Sequence, residues 1–385
     1  MKFLLIADGS PATVFAITPL ATALRNAGHQ ILLAANEPLL ESAEAIGIPA
    51  VSITPEPIGH FMMAGRRENA TGAGPRDMPG EMRGIGRGFA RMAAAVLDAL
   101  VDLTEDWPAD VVVGGSMSYA AGLLGTLRKI PYVRQAWDIV PMTGPDSGAE
   151  YELRLEIKRL GLAALPEPDL FIDVCPPSLQ LSAVPGAQLM RWIPVNRQRR
   201  LEPWMYARPS GRRRVLITSG TRSPMLRTPG SSMRALVDQL ALAGAEVLIA
   251  APESAAEKFG AELGDVRVGW LPLDVVAPTC DLAVHHGGAI TAMSVMTAGV
   301  PQLILPENAH TRTVSQGLSG FGAALTLELG QQGPGQDSAE AIAAGCQEIL
   351  SSPRYAQQAR ALASEIAALP SPADLVPAMA ALAAA

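Results

Sequence analysis

The sequence predicts an α/β protein made of two doubly wound, Rossmann-like domains in tandem. Three observations predict it. Short continuous apolar runs alternate with stretches of helical spacing, as strands of a parallel sheet covered on both faces require. The rhythm starts twice, at "FLLIADGSPA" (3–12) and again at "VLITSGT" (215–221). The 385 residues also exceed what one ordinary core organises, at roughly 100 to 200 residues per domain. Two domains imply a cleft, and in doubly wound sheets ligands lie outside the carboxyl ends of the strands.

In the first domain "FLLIA" reads as a buried strand, "PLATALRNAGHQ" (19–30) as a helix stopped at Gly28, and "ILLAA" (31–35) as the next strand. "DVVVGG" (110–115), the helical "YAAGLLGTLRK" (119–129) and "IPYVRQ" (130–135) repeat the unit. Between them, 59–89 has no clean period and many Gly, Met and Arg residues, so it is expected to be a long mobile loop serving an apolar ligand. A connector rich in Pro and Arg (196–214) follows, with its arginines read as solvated. The second series runs "VLITSGT", a helix near 232–243, "EVLIAAP", a helix near 253–263, "VRVGWLP", "DLAVHHGG", a helix from 291 and "QLILP". The expected boundaries are 1–196 for an acceptor-binding domain, 197–213 for the linker, 214–365 for a donor domain, and 366–385 for a last helix packing back on the first domain.

The chain is 49% hydrophobic and 17% charged, with a formal net charge of −7. That balance suits two packed cores and disfavours a nucleic-acid groove or a polybasic membrane patch, both of which need clustered positive charge. Cys175, Cys280 and Cys346 are widely spaced and odd in number, as expected of buried reduced thiols. The opening apolar run is too short for a signal-peptide core, and no stretch reaches the roughly 18 apolar residues of a membrane span. A soluble cytoplasmic protein acting on small molecules is expected, with a homodimer the one macromolecular association left open.

"HHGGAIT" (285–291) carries the sharpest signal. Adjacent histidines at a strand end diverge, and no Cys or carboxylate stands at metal-ligand spacing, so no metal site is expected. Gly287 and Gly288 let the backbone approach an anion, and the helix after them presents unpaired N–H groups and its positive dipole end. Thr291 falls in the first turn, and His285 or His286 can add a hydrogen bond, so a diphosphate fits. There is no Walker "GKS" or "GKT", and "DGSPAT" is not GxGxxG.

"GW" and "P" at 269–272, "HHGG" with Thr291, and "AGVPQLILP" (298–306) resemble the donor half of bacterial natural-product glycosyltransferases of the GT-B fold. "GSPATVFAITPLATA", "MSYAAGLL", "PYVRQAWD", "LPEPDLFIDVCPPSL" and "QRRLEPWMY" are similar to the urdamycin and landomycin C-glycosyltransferases of angucycline pathways, over nearly the whole chain. The resemblance implies an inverting, metal-independent enzyme without a cofactor, moving a deoxysugar from dTDP to an aromatic polyketide. It implies thymine stacked on Trp270, main-chain bonds from Leu271, and the diphosphate approached by Ser219, Gly220 and Thr221 as well as by the "HHGG" turn.

Many relatives place a catalytic histidine in the first loop, where this chain has Thr13. The resemblance therefore assigns the base to Asp138 of "PYVRQAWD", with Ser10, Thr13, Gln135 and Trp137 shaping the acceptor site. A carboxylate taking a phenol proton pushes electron density onto the ortho carbon, which gives a carbon–carbon bond to the sugar. Ile290 stands where many relatives have Gly, and "ENAHTRT" (307–313) lacks the Asp-Gln pair that holds sugar hydroxyls. A 2,6-dideoxysugar such as D-olivose fits that loss, with Glu307 and His310 as candidate sugar contacts. An O-glycosyltransferase, a non-catalytic helper of another transferase and a sugar-nucleotide epimerase are the competing readings.

Overall fold

The computed structural model describes all residues except 69–77, 182–183, 209, 219–229, 329–338 and 385. The chain divides into two compact units, one of Met1–Cys175, Gln180–Arg191 and Leu369–Ala385, the other of Pro176–Leu179 and Trp192–Ala368.

The first unit holds a seven-stranded parallel sheet. Its strands are β1 (Lys2–Ala7), β2 (Gln30–Asn36), β3 (Ala50–Thr54), β4 (Val111–Gly115), β5 (Tyr132–Gln135), β6 (Leu170–Asp173) and β7 (Gln188–Leu189), in the order β3-β2-β1-β4-β5-β6-β7. Phe3, Leu4, Leu5 and Ile6 are fully buried, because helices cover both faces of the central strand. Each such side chain stabilises the fold by roughly 1.5 to 3 kcal/mol before entropy is counted. The order reverses between β1 and β4, so the loops after these strands meet at the switch point where doubly wound sheets hold ligands.

The segment 59–89 corrects its expected loop character. Helices Ile58–Glu68 and Met78–Asp106 occupy most of it, with 69–77 outside the described residues. Two of its glycines, Gly86 and Gly88, serve packing. A Cβ on Gly86 would collide with the Pro145 carbonyl, one on Gly88 with the Met62 sulfur, and one on Gly148 of the helix Thr143–Glu152 with the Arg83 carbonyl. Two helices approach nearly backbone to backbone, which only glycine permits. The last helix, Pro372–Leu382, packs on the helix Pro11–Asn26 of the first unit.

The second unit has six parallel strands: β8 (Arg213–Thr218), β9 (Ala245–Ala250), β10 (Arg267–Gly269), β11 (Leu282–His285), β12 (Gln302–Ile304) and β13 (Ala324–Thr326). Their order is β10-β9-β8-β11-β12-β13. Its connector is not a solvated tether. Met205 is buried in the core, and Arg214, 1% exposed, donates to Glu246 (2.8 Å), to the carbonyls of Trp204 (2.9 Å) and Ala207 (3.1 Å), and to Thr279 Oγ1 (2.6 Å). Its Nε and Nη1 thus reach four oxygens, as the desolvation of a buried guanidinium demands. Cys175, Cys280 and Cys346 are buried and form no disulfide among the described residues, and burial pushes the thiols of the last two up to about 12. Among the described residues no helix is long and apolar enough to cross a membrane.

Candidate active site

In the second unit β11 ends at His285 and the chain turns through Gly287 and Gly288 into the helix Ala289–Thr297. Gly287 lies at φ +83°, and a Cβ there would stand 2.9 Å from the Thr311 carbonyl oxygen and 3.0 Å from Ile304 Cγ2. The turn is thus pressed against the end of β12 and the first turn of the helix Ala309–Phe321, and requires glycine twice over. Gly288 occupies the N-cap without a side-chain cap, which leaves the first N–H groups of the helix for a ligand. Thr291 is half-buried in that first turn.

The two histidines do different things. His285 is 0% exposed, its Nδ1 accepts the Gly287 N–H at 3.0 Å, and its Nε2 lies 2.8 Å from Gln302 Oε1. The expectation that His285 contacts an anion is corrected on this geometry, because both ring nitrogens are engaged behind the turn. The ring of His286 lies over the turn, with Nε2 2.5 Å from where a Gly288 Cβ would stand, and its buried Nδ1 has no partner among the described residues. Burial, and secondarily the charge of His310, lower His286 to about 4, so it offers a neutral N–H rather than a cation. The positive potential of the turn therefore comes from backbone N–H groups and the helix end.

Trp270 follows β10 and is half-buried, its Nε1 donating to the Arg197 carbonyl at 2.8 Å. Leu271 buries its side chain in the core. β10 and β11 are three strands apart, about 14 Å at the usual spacing, and both end at the same edge of the sheet. A nucleoside diphosphate can bridge such a span along the strand ends. Ser219, Gly220 and Thr221 directly follow β8 but lie outside the described residues. Asn308 caps the helix Ala309–Phe321 in a capping box with Thr311, and Glu307 and His310 flank it, both half-buried.

In the first unit Asp138 stands three residues beyond β5 and is 4% exposed, its Oδ1 accepting the Val140 N–H at 2.8 Å. Trp137 is buried, with its ring against Gly115 and 6.2 Å between ring centroids from Phe89. Gln135 donates from Nε2 to the Ala16 carbonyl at 2.9 Å, while its buried Oε1 has no partner among the described residues. Thr13 turns its hydroxyl onto the Ser10 carbonyl at 2.8 Å, and Ser10, half-buried, is the N-cap of its helix. Thr13, Ala16, Gly115, Gln135 and Trp137 line one narrow hollow; Ser10 and Asp138 are not part of its wall.

The chain matches the family described as Erythromycin biosynthesis protein CIII-like in both of its parts, the N-terminal domain over residues 22–220 and the C-terminal domain over 234–382. The chain belongs to that family. It is a glycosyltransferase of the GT-B fold. The L-demethylnoviosyl transferase of Streptomyces niveus is 32% identical over 396 residues, 99% of this chain and 98% of the relative. The glycosyltransferase SsfS6 of Streptomyces sp. SF2575, solved with thymidine diphosphate, aligns with a TM-score of 0.86 at 30% identity over 99% of each chain. The spinosyn rhamnosyltransferase SpnG, solved with spinosyn aglycone, gives 0.84 at 28% identity over 99% of this chain and all of the other.

Four polar residues of this glycosyltransferase escaped the sequence reading. Asp8 directly follows β1, and its Oδ1 accepts the Ser118 hydroxyl at 2.6 Å; Ser118 itself follows β4. Asp173 at the end of β6 accepts the Cys175 N–H (2.9 Å) and Gln180 Nε2 (2.9 Å). Burial raises its carboxyl, and the charge of Asp138 adds to the effect. The fourth is Gln302. A carboxylate directly after a buried apolar strand was a legible signal for Asp8 and Asp173, whereas nothing in "GVPQLILP" marks Gln302 as a partner of His285.

Proposed function

We propose that this glycosyltransferase moves a deoxysugar from dTDP to an aromatic polyketide of angucycline type, with inversion and without a metal or cofactor. The observation that carries the reading is the turn at Gly287 and Gly288 opening onto an uncapped helix start, in a chain matching over its whole length an enzyme solved with thymidine diphosphate. In this reading the diphosphate lies on the turn with Thr291 and His286, and the thymine lies on Trp270. Ser219, Gly220 and Thr221 approach the phosphates, and Leu271 contributes main-chain contacts.

Asp138 takes the phenol proton. The ortho carbon then bonds to the anomeric carbon as the sugar's C–O bond to the diphosphate breaks, and the ring gives up its ortho proton to regain aromaticity. Departing negative charge is stabilised by N–H groups already aimed at it. D-olivose as the sugar rests on "ENAHTRT" lacking the Asp-Gln pair, and carbon as the attacking atom on the "PYVRQAWD" resemblance and on Thr13 standing where a histidine base is usual. Ser10, Thr13, Gln135 and Trp137 shape the acceptor site, and the Gln135 Oε1 in the hollow, without a partner among the described residues, supports a polar contact there.

The test is turnover of dTDP-sugar by the purified chain with an aromatic acceptor, in chelator, followed by acid treatment of the product. The expected product keeps its sugar in hot acid, as an aryl C-glycoside does. An acid-labile sugar would establish O-transfer. Donor consumption without acceptor would point to epimerisation or hydrolysis, and no turnover to a helper role.

A further inference from the structure

His285 stands behind the diphosphate turn with both ring nitrogens committed. The Gly287 N–H can only donate, so the Nδ1 it reaches at 3.0 Å carries the lone pair. A neutral imidazole then has its single proton on Nε2, which needs an acceptor, and Gln302 Oε1 lies 2.8 Å away. The Gln302 amide is oriented in turn, because its Nε2 faces the Ala292 carbonyl of the helix Ala289–Thr297 at 3.4 Å. Gln302 is itself 1% exposed, at the start of the neighbouring strand β12.

We infer that Gln302 is a positioning residue, which locks His285 in the tautomer that holds the Gly287 N–H and so presets the turn for a nucleoside diphosphate. The inference rests on the donor reading of that turn. Hydrogen bonds run from the helix through Gln302 and His285 to the turn, so the two walls of the anion site are set by one buried chain of partners. Burial keeps His285 uncharged, lowered to about 3, so this lock does not open within the working pH range. With leucine at 302 the Nε2 proton loses its acceptor. The other tautomer would set an Nδ1–H against the Gly287 N–H, donor against donor, and the turn would have to move.

The experiment compares wild type, Gln302→Leu and Gln302→Glu by dTDP calorimetry, donor and acceptor KM, and imidazole 15N chemical shifts. Wild-type His285 is expected as the Nε2–H tautomer. Gln302→Leu should lose that signature, bind dTDP about tenfold more weakly and raise the donor KM by a similar factor, with the acceptor KM unchanged. Gln302→Glu keeps an acceptor oxygen and should retain the tautomer and most of the affinity. An Nδ1–H tautomer in wild type, or a folded Gln302→Leu that binds dTDP as wild type does, overturns the inference alone. Wild type that does not bind dTDP overturns the donor reading, and the inference with it.

Discussion

The Ser118 hydroxyl donates to Asp8 Oδ1 at 2.6 Å, and this joins the loop after β4 to the end of β1 inside the first unit. Asp8 is 0% exposed and its Oδ2 has no partner among the described residues. Burial raises the carboxyl to about 7 against the Ser118 bond, which favours the charged form. A folded pKa above the unfolded one means that the group's contribution is fully present below about pH 4 and is lost as pH rises through 7. Complete ionisation costs about 4 kcal/mol. Asp8→Asn removes the ionisation and keeps an oxygen for Ser118. Its melting temperature relative to wild type should therefore improve from pH 5 to pH 8.5; a difference independent of pH would contradict the assignment.

Asp138→Asn retains an oxygen for the Val140 N–H, so the loop after β5 should keep its form. If Asp138 is the base, turnover should fall by ~10²–10⁴ with dTDP affinity unchanged. Single-turnover kinetics and calorimetry on one preparation separate the two. Activity near wild type would exclude Asp138 from proton transfer.

Gly287→Ala places a methyl 2.9 Å from the Thr311 carbonyl at a φ of +83°. The left-handed conformation alone costs a side chain roughly 1–2 kcal/mol, and the contact adds to it. Weakening of dTDP binding by about tenfold or more is expected, with binding of acceptor alone unaffected. Intact dTDP affinity would place the diphosphate elsewhere.

Arg214→Met should lower stability by about 3 kcal/mol in urea unfolding, since it strands two carbonyls and Thr279 and takes one cation from Glu246. Glu246 keeps its ion pair with Arg267, which limits the loss. A change below about 0.5 kcal/mol, the usual range for surface substitutions, would mean that the connector is not anchored as the structure shows.

The strand rhythm was legible because a strand buried on both faces must be apolar throughout, and "FLLIA", "DVVVGG" and "DLAVHH" leave little alternative. The glycines at 287 and 288 were legible for a similar reason, since a strand end, two glycines and a helix start that follow one another make a purely local pattern of a backbone open to an anion. Gly86 and Gly88 misled for the opposite one. Their neighbours, Pro145 and Met62, are distant in sequence, so close helix packing looked locally like a flexible loop.

By itself, then, the chain of amino acids determined two parallel sheets, the turn that can cradle an anion, and a carboxylate just past β5. These depend on local pattern and on what each residue can do next to its immediate neighbours. Only the tertiary structure decided that His285 braces the turn while His286 lies over it, that Asp8 is buried against Ser118, and that Arg214 fastens the connector. The roles of His285, Asp8 and Arg214 each depend on a partner 17 to 110 positions away, and hydrogen bonds between such residues exist only once the sheet has brought them together.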